Sequence, residues 1–167
     1  VPAGSTCSTP VIGMDFYPTL LEMAGLPPRP EQHLDGISLV PLLKGGSLPG
    51  RPLYWHYPHY GNQGGEPSAI IQEGDWKLIH YFEDGRDELY HLARDKGEQV
   101  NLVEQHPERA KQMANHLRQW QQSVDASMPT TNPNFDPAKY EQQQINTREK
   151  TLPSLERQAA GFLKPRS

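Results

Sequence analysis

The densest run of side chains able to do chemistry is Trp55-His56-Tyr57-Pro58-His59-Tyr60-Gly61-Asn62-Gln63, where two imidazoles stand three residues apart among phenols. Imidazole and phenol can hydrogen-bond an anionic oxygen or move a proton near neutral pH. Following a strand-like stretch, such groups would be displayed on a loop, where binding residues concentrate. His56 and Tyr57 can equally pack and hydrogen-bond inside a sheet, and the sequence leaves both readings open. His56-x-x-His59 has half the form of a metal site, yet no thiolate or carboxylate follows at a spacing that completes tetrahedral coordination, and Pro58 keeps the pair off one helical face. No metal ligand is expected. Asp84-Gly85-Arg86-Asp87 and Asp95-Lys96-Gly97-Glu98 lack the alternate-oxygen pattern of a calcium loop, and turn chemistry accounts for both. His33, His91, His106 and His116 are isolated and expected to be solvated or capping, while His80 shares a side with Trp76 and is expected in the core. There is no G-x-S-x-G, no phosphate-cradling glycine loop and no H-E-x-x-H. Cys7 stands alone, which excludes an internal disulfide framework and a cysteine-based zinc site. Residue types alone therefore describe an accessory piece with one donor-rich loop and no self-sufficient catalytic constellation.

The elements that must hold this loop read as follows. Phe16, Leu20, Leu21 and Met23 recur near helical spacing, with Asp15 as a candidate N-cap, Pro18 in the first turn and Gly25 followed by Pro27-Pro28 as a stop, so a helix is predicted over 14–24. Residues 26–50 are proline-rich and extended, with one short helical turn at 38–43. Leu53–Tyr57 and Ser68–Gln72 are strand-like. Trp76–Phe82 alternates Trp76, Leu78, His80 and Phe82 against Lys77, Ile79 and Tyr81. Glu73-Gly74-Asp75 is a tight turn. Asp84-Gly85 carries the dipeptide of a two-residue hairpin, and Glu88–Leu92 is its return strand. From Pro107 onward, Ala110, Met113, Ala114, Leu117, Trp120 and Val124 fall on one helical face, which predicts an amphipathic helix covering one side of the sheet. Beyond Met128 the chain has few apolar anchors. The fold class is α+β: an antiparallel sheet of about four strands packed by that helix.

Composition narrows the partners. Sixteen Lys and Arg against 20 Asp and Glu give a formal net charge of -4 with no basic cluster. That leaves no electrostatic footprint for a nucleic acid or an anionic membrane surface. Hydropathy excludes a membrane-spanning helix. The 17 prolines and 14 glycines form about a fifth of the 167 residues, against roughly 12% in average usage, so much of the chain must be loop. A core that modest is expected to lean on something larger. The start at Val1 lacks the basic-then-apolar layout of a secretory signal, and we expect that it is not the natural beginning.

Four segments in order then resemble the C-terminal region of the formylglycine-dependent sulfatases of the alkaline-phosphatase superfamily. Asp15-Phe16-Tyr17-Pro18-Thr19-Leu20 through Ala24-Gly25 is similar to that family's D-x-x-P-T-x-L-x-x-A-G helix. Asp35-Gly36-Ile37-Ser38-Leu39 through Leu43 resembles D-G-x-S-L-x-P-L-L, and Gly74-Asp75-Trp76-Lys77-Leu78-Ile79 resembles G-D-W-K-L-I. Glu88-Leu89-Tyr90-His91-Leu92, with Asp95, Gly97, Glu98, Asn101 and Leu102, resembles E-L-Y-x-L-x-x-D-P-G-E-x-x-N-L, with Lys96 in place of proline. The Trp-His-Tyr-Pro-His-Tyr block also occurs in a subgroup of bacterial members. The family's nucleophile motif, C/S-x-P-x-R, is not matched by Cys7-Ser8-Thr9-Pro10-Val11, and its paired calcium-binding aspartates have no counterpart here.

The resemblance implies a two-part enzyme hydrolysing sulfate esters of glycans or aryl sulfates. Calcium and formylglycine would reside in a large N-terminal catalytic domain, and this chain would be a smaller cap, inactive alone. On that reading residues 1–50 end the large domain, 51–128 form the C-terminal subdomain and 129–167 are an extended, weakly structured tail. His56, Tyr57, His59, Tyr60 and Asn62 are expected to line the mouth of the pocket, with His59 nearest the leaving oxygen. The partners are then the catalytic domain and the sulfated substrate. The isolated piece is expected to self-associate through the apolar surface of helix 14–24, and family habit implies a periplasmic or secreted location. Two rival functions stand beside this: a self-standing carbohydrate- or protein-binding module, and an accessory part of a phosphodiesterase or phosphatase of the same superfamily.

Overall fold

A computed structural model describes residues 1, 3–61 and 65–162, which divide into two units, Val1–Pro129 and Thr130–Ser167. The first unit is built on a four-stranded antiparallel meander: β1 (Leu53–Tyr57), β2 (Ser68–Glu73), β3 (Trp76–Tyr81) and β4 (Asp87–His91), in spatial order β1-β2-β3-β4. Before it come helix α1 (Phe16–Met23), entered through a 3₁₀ turn at Gly13–Asp15, and the single turn α2 (Val40–Leu43). Helix α3 (Pro107–Ser123) follows the sheet. The α+β reading holds, with strand and helix limits within a residue or two of those expected. No helix among the described residues is long and apolar enough to cross a membrane.

Strict alternation gives the sheet two chemically different faces. One face carries Ala69, Ile71, Leu78 and Leu89, which close onto Ala110, Met113 and Leu117 of α3. Each such large apolar side chain taken from water contributes about 1.5–3 kcal/mol. Tyr54 stacks on Trp120 at 4.6 Å between ring centroids, and His80 donates from Nδ1 to Asp87 at 2.8 Å on the same side. The opposite face is polar-aromatic. There Glu88 accepts from the Tyr90 hydroxyl at 2.8 Å and the Tyr81 hydroxyl at 3.3 Å, while Lys77 pairs with Glu98 at 2.7 Å. Burial, then the hydrogen bond to Glu88, pushes the Tyr90 phenol up to about 12, so it serves there as a donor. Beyond β4, Asn101 Oδ1 accepts from the amides of Leu89 and Val103, and Asp95 Oδ2 from those of Gln99 and Val100. The acids of the E-L-Y segment are thus spent on holding turns and strands.

Two turns differ from expectation. Glu73 pairs with Trp76, so the two-residue hairpin is Gly74-Asp75, with Gly74 at φ 56° in the first central position that such loops reserve for glycine. Between β3 and β4 the Tyr81 amide donates to the Arg86 carbonyl and the Gly85 amide back to Tyr81. This leaves a four-residue loop, 82–85, in which Gly85 takes the left-handed position (φ 72°). The Asp-Gly pair marks the turn but sits at its end.

The proline-rich connector is fastened by one buried carboxylate. Asp15 lies at the N-cap of α1, but its side chain caps no amide of that helix. It accepts instead from the amides of Ile12 at 2.9 Å and Ile37 at 3.0 Å, and from Arg51 Nη2 at 2.5 Å. Burial alone would raise its pKa, but those amides and the guanidinium outweigh burial and hold it below the usual carboxylate range. One turn on, the Thr19 hydroxyl donates to the Asp15 carbonyl and accepts from the Leu39 amide at 2.8 Å. Asp15 and Thr19 therefore stitch the helix to the 36–39 segment. A Cβ on Gly36 would collide with the Met14 carbonyl, which is why that connector position needs glycine.

In the second unit, the extended tail expected from sequence is instead helical: α4 (Pro137–Asn146), a π-helical stretch Thr147–Thr151, and α5 (Leu152–Phe162). The reason is local. Asp136 accepts from the amides of Ala138 and Lys139 at 3.1 and 3.3 Å. Pro137 takes the first helical position, and Gln, Glu, Lys and Ala are good helix formers. Neither α4 nor α5 buries a residue.

Candidate functional site

The donor-rich segment leaves the sheet at the end of β1, and period-two alternation splits its members. His56 faces α3. Its Nε2 lies 2.9 Å from the Ser127 carbonyl and its Nδ1 3.2 Å from the Gln121 side-chain amide, with the ring edge-on to Phe82 at 5.4 Å. A carbonyl can only accept, so Nε2 carries the proton and Nδ1 receives the amide hydrogen. Both nitrogens are engaged, and His56 ties β1 to the end of α3.

Tyr57 points to the opposite face, 55% exposed, and its ring meets His59 edge-on at 5.4 Å. His59 and Tyr60 are exposed where the chain turns away from the sheet. Asn62 lies outside the described residues. The geometry thus brings Tyr57 and His59 together on one exposed corner, with exposed Tyr60 next in the chain, and assigns His56 to the sheet–helix junction. Imidazole and phenol groups so placed can donate to an anionic or sugar oxygen brought to them from outside.

The connection that follows the corner is tied to the β3–β4 hairpin, through residues that the sequence assigns only to a turn. The Phe82 amide donates to the Pro67 carbonyl at 2.9 Å, and the Gly61 amide to the Gly65 carbonyl at 3.3 Å. Arg86 reaches Glu66 at 2.7 Å through Nη2 and Asp84 at 2.7 Å through Nη1, with its guanidinium carbon 3.7 Å above the centre of the Tyr81 ring. The hydrogen bonds to Asp84 and Glu66 raise the Arg86 pKa. The cross-strand pairing of Tyr81 with Arg86 would have exposed this cluster in the sequence, once the intervening loop is given four residues rather than two.

A cavity of about 490 Å³ opens elsewhere, at the end of β4 and the start of α3, lined by Trp76, His91, Arg94, Val100, Leu102 and His106 among others. None of His56, Tyr57, His59 or Tyr60 contributes to it. Its wall is the packing shell of Trp76, whose ring meets His91 at 4.7 Å and His106 at 5.1 Å and lies under Arg109 at 4.9 Å. His91 and His106 are thus packing residues at this corner. His116 pairs with Glu73 at 2.7 Å, and His33 accepts from the Arg29 amide at 3.2 Å.

Among the described residues no group of three His, Cys, Asp or Glu side chains is placed to hold a metal ion. Cys7 is exposed, and hydrogen bonds from Thr9 hold its thiol below the usual range, but the run Cys7-Ser8-Thr9-Pro10-Val11 lacks the arginine of the C/S-x-P-x-R motif. These residues do not fit calcium or a formylglycine centre.

Comparison with known proteins gives the corner its context. Residues 1–124 match the family described as N-sulphoglucosamine sulphohydrolase, C-terminal. The chain is 36% identical over 122 residues to a sulfatase of Formosa agariphila, covering 64% of this chain and 22% of that protein. It is 30% identical over 124 residues to arylsulfatase K of Danio rerio, covering 71% of this chain and 23% of the relative. A solved structure of a protein in complex with its substrate D-glucosamine-2-N,6-O-disulfate superposes with a TM-score of 0.57 at 28% identity, covering 69% of this chain and 24% of that one. The chain therefore spans between a fifth and a quarter of the length of these relatives.

Proposed function

The chain belongs to the N-sulphoglucosamine sulphohydrolase C-terminal family of sulfatases, and from that premise we propose that it is the C-terminal part of an enzyme hydrolysing sulfate esters of sulfated sugars. In this reading it caps the reaction centre and does not catalyse alone. Calcium and formylglycine, which the family resemblance implies, belong to the remainder of the enzyme. The observation that carries the reading is the exposed corner of Tyr57, His59 and Tyr60 inside the family-matched region. The D-glucosamine-2-N,6-O-disulfate of the solved relative suggests a sulfated amino sugar as the substrate class.

The roles follow from hydrogen-bonding capacity. When the sulfate ester breaks, the alcohol oxygen gains charge and must be given a hydrogen bond or a proton. His59 is the group we assign to that oxygen, with Tyr57 packed edge-on against its ring and Tyr60 donating to neighbouring sugar oxygens. His56 keeps β1 in place and does not meet substrate. The apolar face of α1, with Phe16 61% and Met23 65% exposed, docks on the large domain.

The test is sulfate release from a panel of sulfated glycans by the full-length enzyme, its His59→Ala variant and this chain alone. If His59 serves the leaving oxygen, kcat falls by about 100-fold, the lower range for general acid–base groups, and the chain alone releases no sulfate. Unchanged kcat and KM in His59→Ala would refute the role of the corner. Enzymatic turnover by the isolated chain would refute the cap.

A further inference from the structure

We infer that Arg86 is a positioning residue that clasps the β1–β2 connection and thereby sets where His59 and Tyr60 stand. The inference rests on the proposed role of that corner. Tyr57 pairs with Ser68, and Ser68 with Tyr81, so the connection leaves and re-enters the sheet directly beside the Tyr81 ring. The guanidinium lies on that ring at 3.7 Å and is gripped by Asp84 at 2.7 Å before it reaches Glu66, also at 2.7 Å. Glu66 immediately precedes Pro67, whose carbonyl takes the Phe82 amide. Ion pair and backbone bond therefore pin adjacent residues of the connection to the β3–β4 hairpin, and the Gly61 amide is bonded in turn to the Gly65 carbonyl, next to Glu66.

An isolated exposed ion pair achieves little, because two flexible side chains must be immobilised for a screened attraction. Here most of that ordering is done already, since the ring and Asp84 fix the guanidinium whether or not Glu66 is present. Lysine cannot reproduce the arrangement. Its ammonium is a point charge, without the planar fork that stacks and bonds two carboxylates at once. Arg86 is 38% exposed on its side chain and is absent from the apolar core, so its loss alters the connection rather than the fold.

The experiment uses the full-length enzyme carrying Arg86→Gln, Arg86→Lys, Glu66→Gln, the Arg86→Gln/Glu66→Gln pair, and His59→Ala as reference. Hydrogen exchange is followed on this chain with the same Arg86 and Glu66 substitutions. Arg86→Gln and Glu66→Gln are each expected to lower kcat/KM about two- to fivefold, the scale of a surface ion pair, with part of the loss in kcat because the His59 that the connection carries serves the leaving oxygen. Arg86→Lys should fall between Arg86→Gln and the parent. The double variant should be no worse than either single one. The Gly61 amide should exchange faster in these variants while the Ile71 and Leu78 amides, in the two central strands, keep the parent rate. Unaltered Gly61 exchange in Arg86→Gln and Glu66→Gln refutes the clasp whatever the kinetics. Additive effects in the double variant refute the Arg86–Glu66 coupling. If His59→Ala lowers kcat while the Arg86 variants keep the parent kcat/KM, the clasp fails and the corner stands. If exchange quickens but neither His59→Ala nor Arg86→Gln changes the kinetics, the corner fails and the role of the clasp in binding fails with it.

Discussion

Replacing Asp15 by asparagine changes one atom at a polar side chain that is fully buried, and the consequence can be worked from its partners. The carboxylate is fully buried and serves the Ile12 amide, the Ile37 amide and Arg51, whose side chain is about one-fifth exposed. Asparagine keeps one acceptor oxygen and turns its amide nitrogen toward a donor. At least one buried N–H is then left unpaired, at about 1–3 kcal/mol, and the guanidinium loses its counter-charge. Breaking a buried ion pair costs about 3–5 kcal/mol; the partial exposure of Arg51 places this one near 3 kcal/mol. For a unit of this size each kcal/mol shifts Tm by about 4 °C, so Asp15→Asn should melt on the order of 10–15 °C lower by calorimetry at pH 7. The pH dependence has a definite sign. The folded-state pKa is lowered, so the carboxylate stabilises fully above its unfolded value of about 3.9. That stabilisation fades as pH falls below 4 toward the depressed folded value. The gap between parent and variant should therefore narrow in acid. A Tm within 2 °C of the parent at pH 7, or a gap that does not change with acidification, would show that Asp15 is not the fastening.

Gly36→Ala should destabilise the same junction, because its new Cβ meets the Met14 carbonyl and backbone must move; about 1–3 kcal/mol is expected from overpacking, and denaturant midpoints equal to the parent's would contradict the close approach. The exposed Phe16, Leu20 and Met23 of α1 form an apolar face that should drive association of the isolated chain. Phe16→Ser/Leu20→Ser should shift light scattering toward monomer, and a parent chain already monodisperse at high concentration would remove the argument that this face seeks a partner.

The sheet was legible because its strands alternate and its turns carry glycine. Trp76, Leu78 and His80 face α3, and Lys77, Ile79 and Tyr81 face away, as a period of two requires. The lengths of the turns were less legible, since Asp84-Gly85 marks a two-residue loop and the end of a four-residue one equally well. Asp15 shows a deeper limit. Before a helical stretch an aspartate reads as a cap, and nothing nearby reveals that its partners lie 22 and 36 residues further along. The residues around Trp55–Gln63 drew attention by type, but their division between two faces depends on where β1 begins, and their anchoring depends on Arg86 from another hairpin. Sparse apolar anchors beyond Met128 predict an extended, weakly structured tail over 129–167, whereas Asp136-Pro137 and good helix formers organise residues 137–162 locally without burial.

The fastening at Arg51 also sets the starting point of the sheet. Arg51 stands two residues before β1, and β1 pairs with β2 along its whole length, from Leu53 to Tyr57. The strand therefore cannot pivot by itself: any shift of the junction where one carboxylate grips helix, connector and arginine is shared with β2.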